Sequence, residues 1–186
     1  MRIIGGNRRG LKLADVGEGD AAAHLRPTSD RVREAIFNLL INAHGNPVAG
    51  ARVLDLFAGT GALGLEALSR GASQATFVDD GAKALALIRA NIAKMRAEAE
   101  TRVIRQDARK LGPNAGAGYE LVFLDPPYGK DLGAAALAEV LKGGWLAPDA
   151  MVVWEEGAAP DMPAGFSQVD QRKYGDTIVT LLRVAA

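Results

Sequence analysis

The tetrapeptide Asp125-Pro126-Pro127-Tyr128 closes an apolar run, Leu121-Val122-Phe123-Leu124. Such a run reads as a buried strand, and ligands of open α/β sheets gather at the carboxyl ends of such strands. A carboxylate placed there is costly unless it meets a donor. The two prolines fix the backbone and remove amide donors, which leaves carbonyls free to accept. Those are the needs of group transfer to an amine conjugated to a flat base. Asp125 and the Pro126 carbonyl can accept the two amino hydrogens, Pro127 stiffens the turn, and Tyr128 can stack on the ring. The alternative is a rigid turn with no chemistry, but Asp, Pro, Pro and an aromatic together at a strand end form a specific signal.

A second cluster runs from Asp55 through Phe57, Ala58, Gly59, Thr60 and Gly61 to Gly64, between a strand-like run and a helical one. Glycines at a strand-to-helix turn let the backbone approach a ligand closely. Asp79 follows Gly59 by 20 residues, at the tip of the next strand, and is placed to meet ribose hydroxyls. This spacing also satisfies a dinucleotide fingerprint. Asp55 separates the readings. A pyrophosphate disfavours a nearby carboxylate, whereas a sulfonium with an α-amino group tolerates or needs one, so the ligand implied is S-adenosylmethionine. Asp107 and the Ala108 amide, after the third strand, suit an adenine edge, and Asp80 is a solvated neighbour of Asp79. Asp55 can instead cap the turn, and Asp107 can instead cap a short helix.

These residues need strands and helices in alternation. Residues 1–13 read as a β-hairpin turning at Gly5-Gly6-Asn7, and 14–24 as a loop. A helix follows, capped by Thr28 or Ser29, with Val32, Ala35, Ile36, Leu39 and Leu40 on one face. Strands are expected at 52–57, 74–79, 101–106 and 119–125, with helices at 62–70, 82–96 and 132–142. Runs 150–156, 166–174 and 177–184 are strand-like, and Gly175-Asp176 joins the last pair as a hairpin. The fold class is α/β, a doubly wound seven-stranded sheet, mostly parallel, with an antiparallel strand at the end. Residues 1–45 form an extension and 46–186 the main domain.

Lysine plus arginine and aspartate plus glutamate both number 22, so net charge is silent about a nucleic-acid partner. Its distribution is not. Arg2, Arg8, Arg9 and Lys12 precede the first acid, Asp15, and Arg26, Arg31 and Arg33 follow with Asp30 and Glu34 between and beside them, a local excess that suits phosphate contacts. The alternative is a solvated hairpin surface. There is no cysteine, and His24 and His44 are the only histidines, so no metal site is expected. No apolar stretch suits a signal peptide or membrane span, which makes the cytoplasm the expected location.

Together LDLFAGTGALG and LDPPY resemble class I (Rossmann-like) methyltransferases that modify exocyclic amines. RIIGGNRRGLKL, RPTSDRVREAIFNLL, VLDLFAGTGALGLEALSRGA, FVDD, IRANI and VFLDPPYGK resemble the bacterial 16S ribosomal RNA guanine-N2 methyltransferase family, RsmD. The resemblance runs from residue 2 to about residue 130. It implies methylation of a guanine 2-amino group, with 16S rRNA in the small ribosomal subunit or its precursor as partner; separately, a monomer is expected. It further implies that Asp55, Gly59 and Gly61 hold the methionine part, Asp79 the ribose and Asp107 the adenine. Thr28 would face the cofactor carboxylate, and Asp125 with Tyr128 the target. Where the family shows Glu-x-Asp after the second strand, this chain has Asp79-Asp80-Gly81, one methylene shorter. DNA adenine or protein glutamine methylation shares the tetrad. A NAD-binding oxidoreductase would leave Asp55 and the tetrad idle, and a non-catalytic RNA-binding module would not need to orient an amine.

Overall fold

The computed structural model describes residues 1–16 and 28–185; the readings of the 17–24 segment, His24 and Arg26 lie outside the described residues. In chain order, α1 spans Asp30–Ala43, β1 Arg52–Leu56, α2 Ala62–Ser69, β2 Gln74–Asp79 and α3 Ala82–Met95. β3 (Thr101–Arg105), β4 (Tyr119–Leu124), α4 (Leu132–Lys142), β5 (Leu146–Glu156), β6 (Phe166–Tyr174) and β7 (Thr177–Val184) complete the chain. All seven strands form one sheet in the order β3-β2-β1-β4-β5-β7-β6. β1 to β5 pair in parallel, and β7 runs antiparallel to both β5 and β6. The antiparallel strand is last in sequence but second from the sheet edge. The Gly175 turn, at φ +61°, folds β7 back between β5 and β6.

The central strands are apolar on both faces because helices cover both. Val53 of β1 joins Phe37, Leu40, Leu65 and Ile88 in one core, under α1, α2 and α3. Leu54 and Leu56 point the other way, to Leu137 and Val140 of α4 and to Trp145 and Trp154. Both tryptophans are packing residues. β5 starts four residues earlier than the apolar run at 150–156 suggests, since Leu146 pairs with Tyr119 before a register shift.

The amino-terminal hairpin closes around an antiparallel bridge between Arg2 and Lys12, where Ile3 N donates to the Leu11 carbonyl at 2.9 Å and Leu13 N to the Met1 carbonyl at 2.9 Å, and a 3₁₀ turn over Gly6–Arg8 forms its tip. Glu66 docks this hairpin on the domain. The amides of Ile4 and Gly5 donate to its carboxylate at 2.9 Å each. Glu66 is fully buried and also accepts from Arg33 Nε at 3.1 Å and Arg70 Nε at 2.8 Å. Arg33 in turn donates to the Arg2 carbonyl and to Asp30. Ile3 and Leu13 sink into the same core as β1, so the extension is continuous with the sheet domain. Ser29 caps α1, accepting from the Val32 amide at 3.1 Å, which leaves Thr28 outside the helix.

Glu66→Gln keeps the volume but turns an amide toward donors and strips Arg33 of its buried counter-charge. A loss of about 3–5 kcal/mol in urea unfolding is expected. A change below about 1 kcal/mol would show that the extension docks through its apolar residues alone.

Candidate active site

β1 and β4 lie side by side where the connections diverge to opposite edges, the switch point at which α/β sheets bind ligands. Parallel pairing then aligns four acids at one end of the sheet. Asp55 lies in β1, Asp79 ends β2, Asp107 stands just past β3 and Asp125 just past β4. They line one cavity of about 210 Å³ with Thr28, Phe57, Ala58, Gly59, Thr60, Asp80 and Pro127.

The turn after β1 is tightly wound. Phe57, Gly59 and Gly61 all have positive φ, at +56°, +60° and +80°. For phenylalanine this costs about 1–2 kcal/mol, and such strain collects at functional sites. Gly64 answers a different need. A Cβ there would come within 2.5 Å of the Phe77 ring, so its absence lets α2 sit down on β2. Gly61 starts α2 and is buried beneath the cavity rather than lining it.

Asp55 is 1% exposed, and Gly64 donates its amide to Oδ2 at 3.0 Å. Burial pushes its carboxyl well above the ordinary range, the amide opposes this, and the charges of Asp125 and Asp79 add to it. Asp79 is oriented by the Gly59 amide at 3.0 Å and the Gly81 amide at 2.9 Å. Burial raises its pKa too, against those two amides, with Asp80 adding repulsion. Asp107 is held differently. It caps a short 3₁₀ turn through the Arg109 amide, and the Arg109 guanidinium clasps it at 3.1 and 2.8 Å, holding its pKa below the usual value. Ala108 is buried in a small recess of about 20 Å³ with Phe57, Asp79 and Asp107.

The proline tetrad divides two cavities. Asp125 and Pro127 face the first, and Thr28 Oγ1 reaches Asp125 Oδ2 at 3.4 Å. Pro126 is buried and lines neither. Tyr128 lies on the far side, in a cavity of about 510 Å³ with Trp154 and Glu156. Its hydroxyl bonds Thr177 Oγ1 at 3.0 Å, and its ring packs so closely on Gly157 that a Cβ there would sit 2.9 Å away. Leu63, Arg109, Lys130 and Leu132 also line the first cavity and were not anticipated. Arg109 had a signal, since Asp-x-Arg after a strand favours a local clasp. Leu132 had none, because only the docking of α4 brings it there.

The basic residues divide as well. Arg2, Arg9, Lys12 and Arg31 are exposed. Arg8 is half-buried, spent on the Met95 carbonyl and on Glu100, each at 3.3 Å, because the turn around it packs on Ser69 at the end of α2, within reach of both. Arg26 lies outside the described residues. Among the described residues, no group of three or more histidines or acids is arranged to hold a metal, and no helix is long and apolar enough to cross a membrane.

A row of strand-end acids beside a proline turn disfavours a pyrophosphate and favours a ligand carrying positive charge and hydroxyls. The sheet order and this site define a class I methyltransferase. The chain matches the family described as Conserved hypothetical protein 95 over residues 1–183, and it belongs to that family. It is 40% identical over 185 residues to ribosomal RNA small subunit methyltransferase D of Escherichia coli K12, covering 97% of this chain and 88% of that one. The protein of the same description from Haemophilus influenzae is 35% identical over 159 residues, covering 83% and 78%. The structure of the methyltransferase candidate YhhF from Escherichia coli superposes with a TM-score of 0.83 at 36% identity, covering 100% and 98%. The family expected from the motifs is the family found.

Asp55→Asn retains an acceptor for the Gly64 amide and removes the buried charge. Because the folded pKa of Asp55 is raised, its contribution to stability is present at low pH and lost as pH rises through that pKa. The variant should therefore melt about 2–4 °C higher than wild type near neutral pH, with the gap closing in acid, where Asp55 is protonated. Calorimetry showing a lower Tm at neutral pH would contradict this account.

Proposed function

We propose that this chain transfers a methyl group from S-adenosylmethionine to the exocyclic 2-amino group of a guanine in small-subunit ribosomal RNA, acting as a monomer in the cytoplasm. The observation that carries the reading is the cavity of strand-end acids on one side of the Asp-Pro-Pro-Tyr turn and the larger cavity on the other. Relatives named as ribosomal RNA small subunit methyltransferase D, aligned over most of the chain, support the RNA substrate.

The residues fit the methyl donor. Asp55 would face its amino group across the Gly59-Thr60-Gly61 turn, Thr28 its carboxylate, Asp79 with Asp80 the ribose, and Asp107 with Ala108 the adenine. A cationic group there offsets the cost of burying the Asp55 carboxylate and, to a lesser degree, its repulsion from Asp125 and Asp79. When bound, S-adenosylmethionine supplies an electrophilic methyl group on a sulfonium.

The chain's own part is to present the nucleophile. Asp125 and the Pro126 carbonyl accept the two amino hydrogens, which turns the nitrogen lone pair toward the first cavity. Thr28 steadies the Asp125 carboxylate. Tyr128, anchored through Thr177, forms a fixed wall for the ring, so the base enters from the larger cavity. As the nitrogen gains a methyl group it becomes acidic, and Asp125 is positioned to receive the proton it sheds. Alignment supplies most of the acceleration. A base must leave its stack to reach this turn, which favours a loop or end of the RNA. Arg2, Arg9, Lys12 and Arg31, with Arg26, are the extension's candidate phosphate contacts, while Arg8 serves mainly to hold the extension in place.

Asp125→Ala is expected to leave cofactor affinity within a few-fold of wild type by calorimetry and to abolish transfer. Tritiated methyl transfer to 30S particles, naked 16S RNA and duplex DNA, followed by digestion, tests the substrate. Label in 2-methylguanosine supports the reading. Label in DNA adenine, or near-normal turnover by the variant, would overturn it.

A further inference from the structure

The sheet has two free edges, β3 and β6, and they differ in charge. Between Lys83 and Lys110 the chain carries eight basic residues against three acidic ones, an excess of five in a molecule whose totals balance. This segment is α3, β3 and the turn that follows, so the fold gathers the excess on one edge. Arg89, Lys94, Arg96, Arg102, Arg105 and Lys110 are all exposed there, and among the described residues none of their side chains makes a hydrogen bond or close ion pair, Lys110 acting on Asp107 only at longer range. Two of the three acids are already spent, Glu100 on Arg8 and Asp107 on Arg109. At the other edge the charges close on themselves, with Asp170 bound by both Arg172 and His44.

We propose that the β3 edge and the carboxyl-terminal end of α3 form the surface that tracks the phosphate backbone of the RNA, an assignment that rests on the rRNA reading above. The edge is continuous with the site, because Arg105 pairs in register with Asp79 and Arg109 lines the first cavity. It is also continuous with the extension. The Arg8 side chain bridges its turn, which carries exposed Arg9, to the Met95 carbonyl at the end of α3, next in sequence to Arg96. Arg96 occupies the left-handed cap of α3 at φ +53°, a position that favours glycine or asparagine. A cation is kept there at a backbone cost. Lysine and arginine on an edge strand also discourage edge-to-edge pairing. That role does not account for the charges on α3, which borders the strand and has no free ladder to protect.

The test compares wild type, the double variant Arg96→Ala with Arg102→Ala, and Lys173→Ala on the opposite edge. Filter binding to 16S RNA transcripts is measured over a range of salt concentrations. The double variant is expected to bind about tenfold more weakly near 0.1 M salt, with a log affinity against log salt slope shallower by about 1.4 to 1.8. Its calorimetric affinity for S-adenosylmethionine should be unchanged, and Lys173→Ala should match wild type in every respect. Unchanged affinity and slope in the double variant would overturn the proposal, and so would aggregation with intact RNA binding, which would assign the charges to edge protection. Wild type that binds RNA with the expected dependence but methylates none of it would refute the functional reading and leave this surface standing. Failure of wild type to bind RNA at all would end both.

Discussion

Burying a carboxyl group is costly unless something compensates it, and two of the buried acids in this fold are compensated in opposite ways. Glu66 and Asp55 are both essentially inaccessible to solvent. Glu66 is compensated from within, by two arginines and two backbone amides, and that compensation ties the amino-terminal extension, α1 and α2 into one body. Asp55 has one amide and two acidic neighbours, so the fold itself leaves its charge largely uncompensated. The first acid belongs to the architecture, and the second is the one we assign to the ligand. The difference lies in which residues the packing of α1 and α2 delivers to each.

The sheet topology makes the second arrangement unavoidable. Parallel strands end on the same side, so an acid at the tip of each becomes a row of like charges. The order β3-β2-β1-β4 places Asp107, Asp79, Asp55 and Asp125 along that row. Backbone amides from the glycine turn and from Gly81 orient the inner members, and Arg109 neutralises the outermost. Charge is therefore least compensated at the centre, next to the proline turn. Asn91 closes the assembly from outside the sheet. Its buried amide bonds both backbone groups of Ala14 and the carbonyl of Thr60, linking extension and glycine turn through α3.

Much of this is legible in residue order because the signals are local. Apolar runs of five or six residues between glycine turns announce strands, and β2 and α4 fall on the residues expected. The two chemical motifs are contiguous, and each sits at a strand end that periodicity alone locates. Less legible is whatever depends on contacts across long sequence separations. The hairpin is announced by its turn residues, but its docking is not: Glu66, some sixty residues away, takes the amides of Ile4 and Gly5. Arg8 reads as a phosphate ligand until Glu100 and Met95 claim it.

Tyr128 shows where the boundary falls. Its place after two prolines announces an aromatic at the reaction centre, and that much requires no coordinates. That its ring turns away from the acids, onto Gly157 and Thr177, follows from the β5–β6 connection and from β7 folding back beside β5. Residue types and spacing establish which groups are available, because backbone geometry over a few residues is a local property. Which side of the turn each group faces, and which charge is left for a ligand to satisfy, depends on side chains distant in sequence competing for the same space and the same hydrogen bonds.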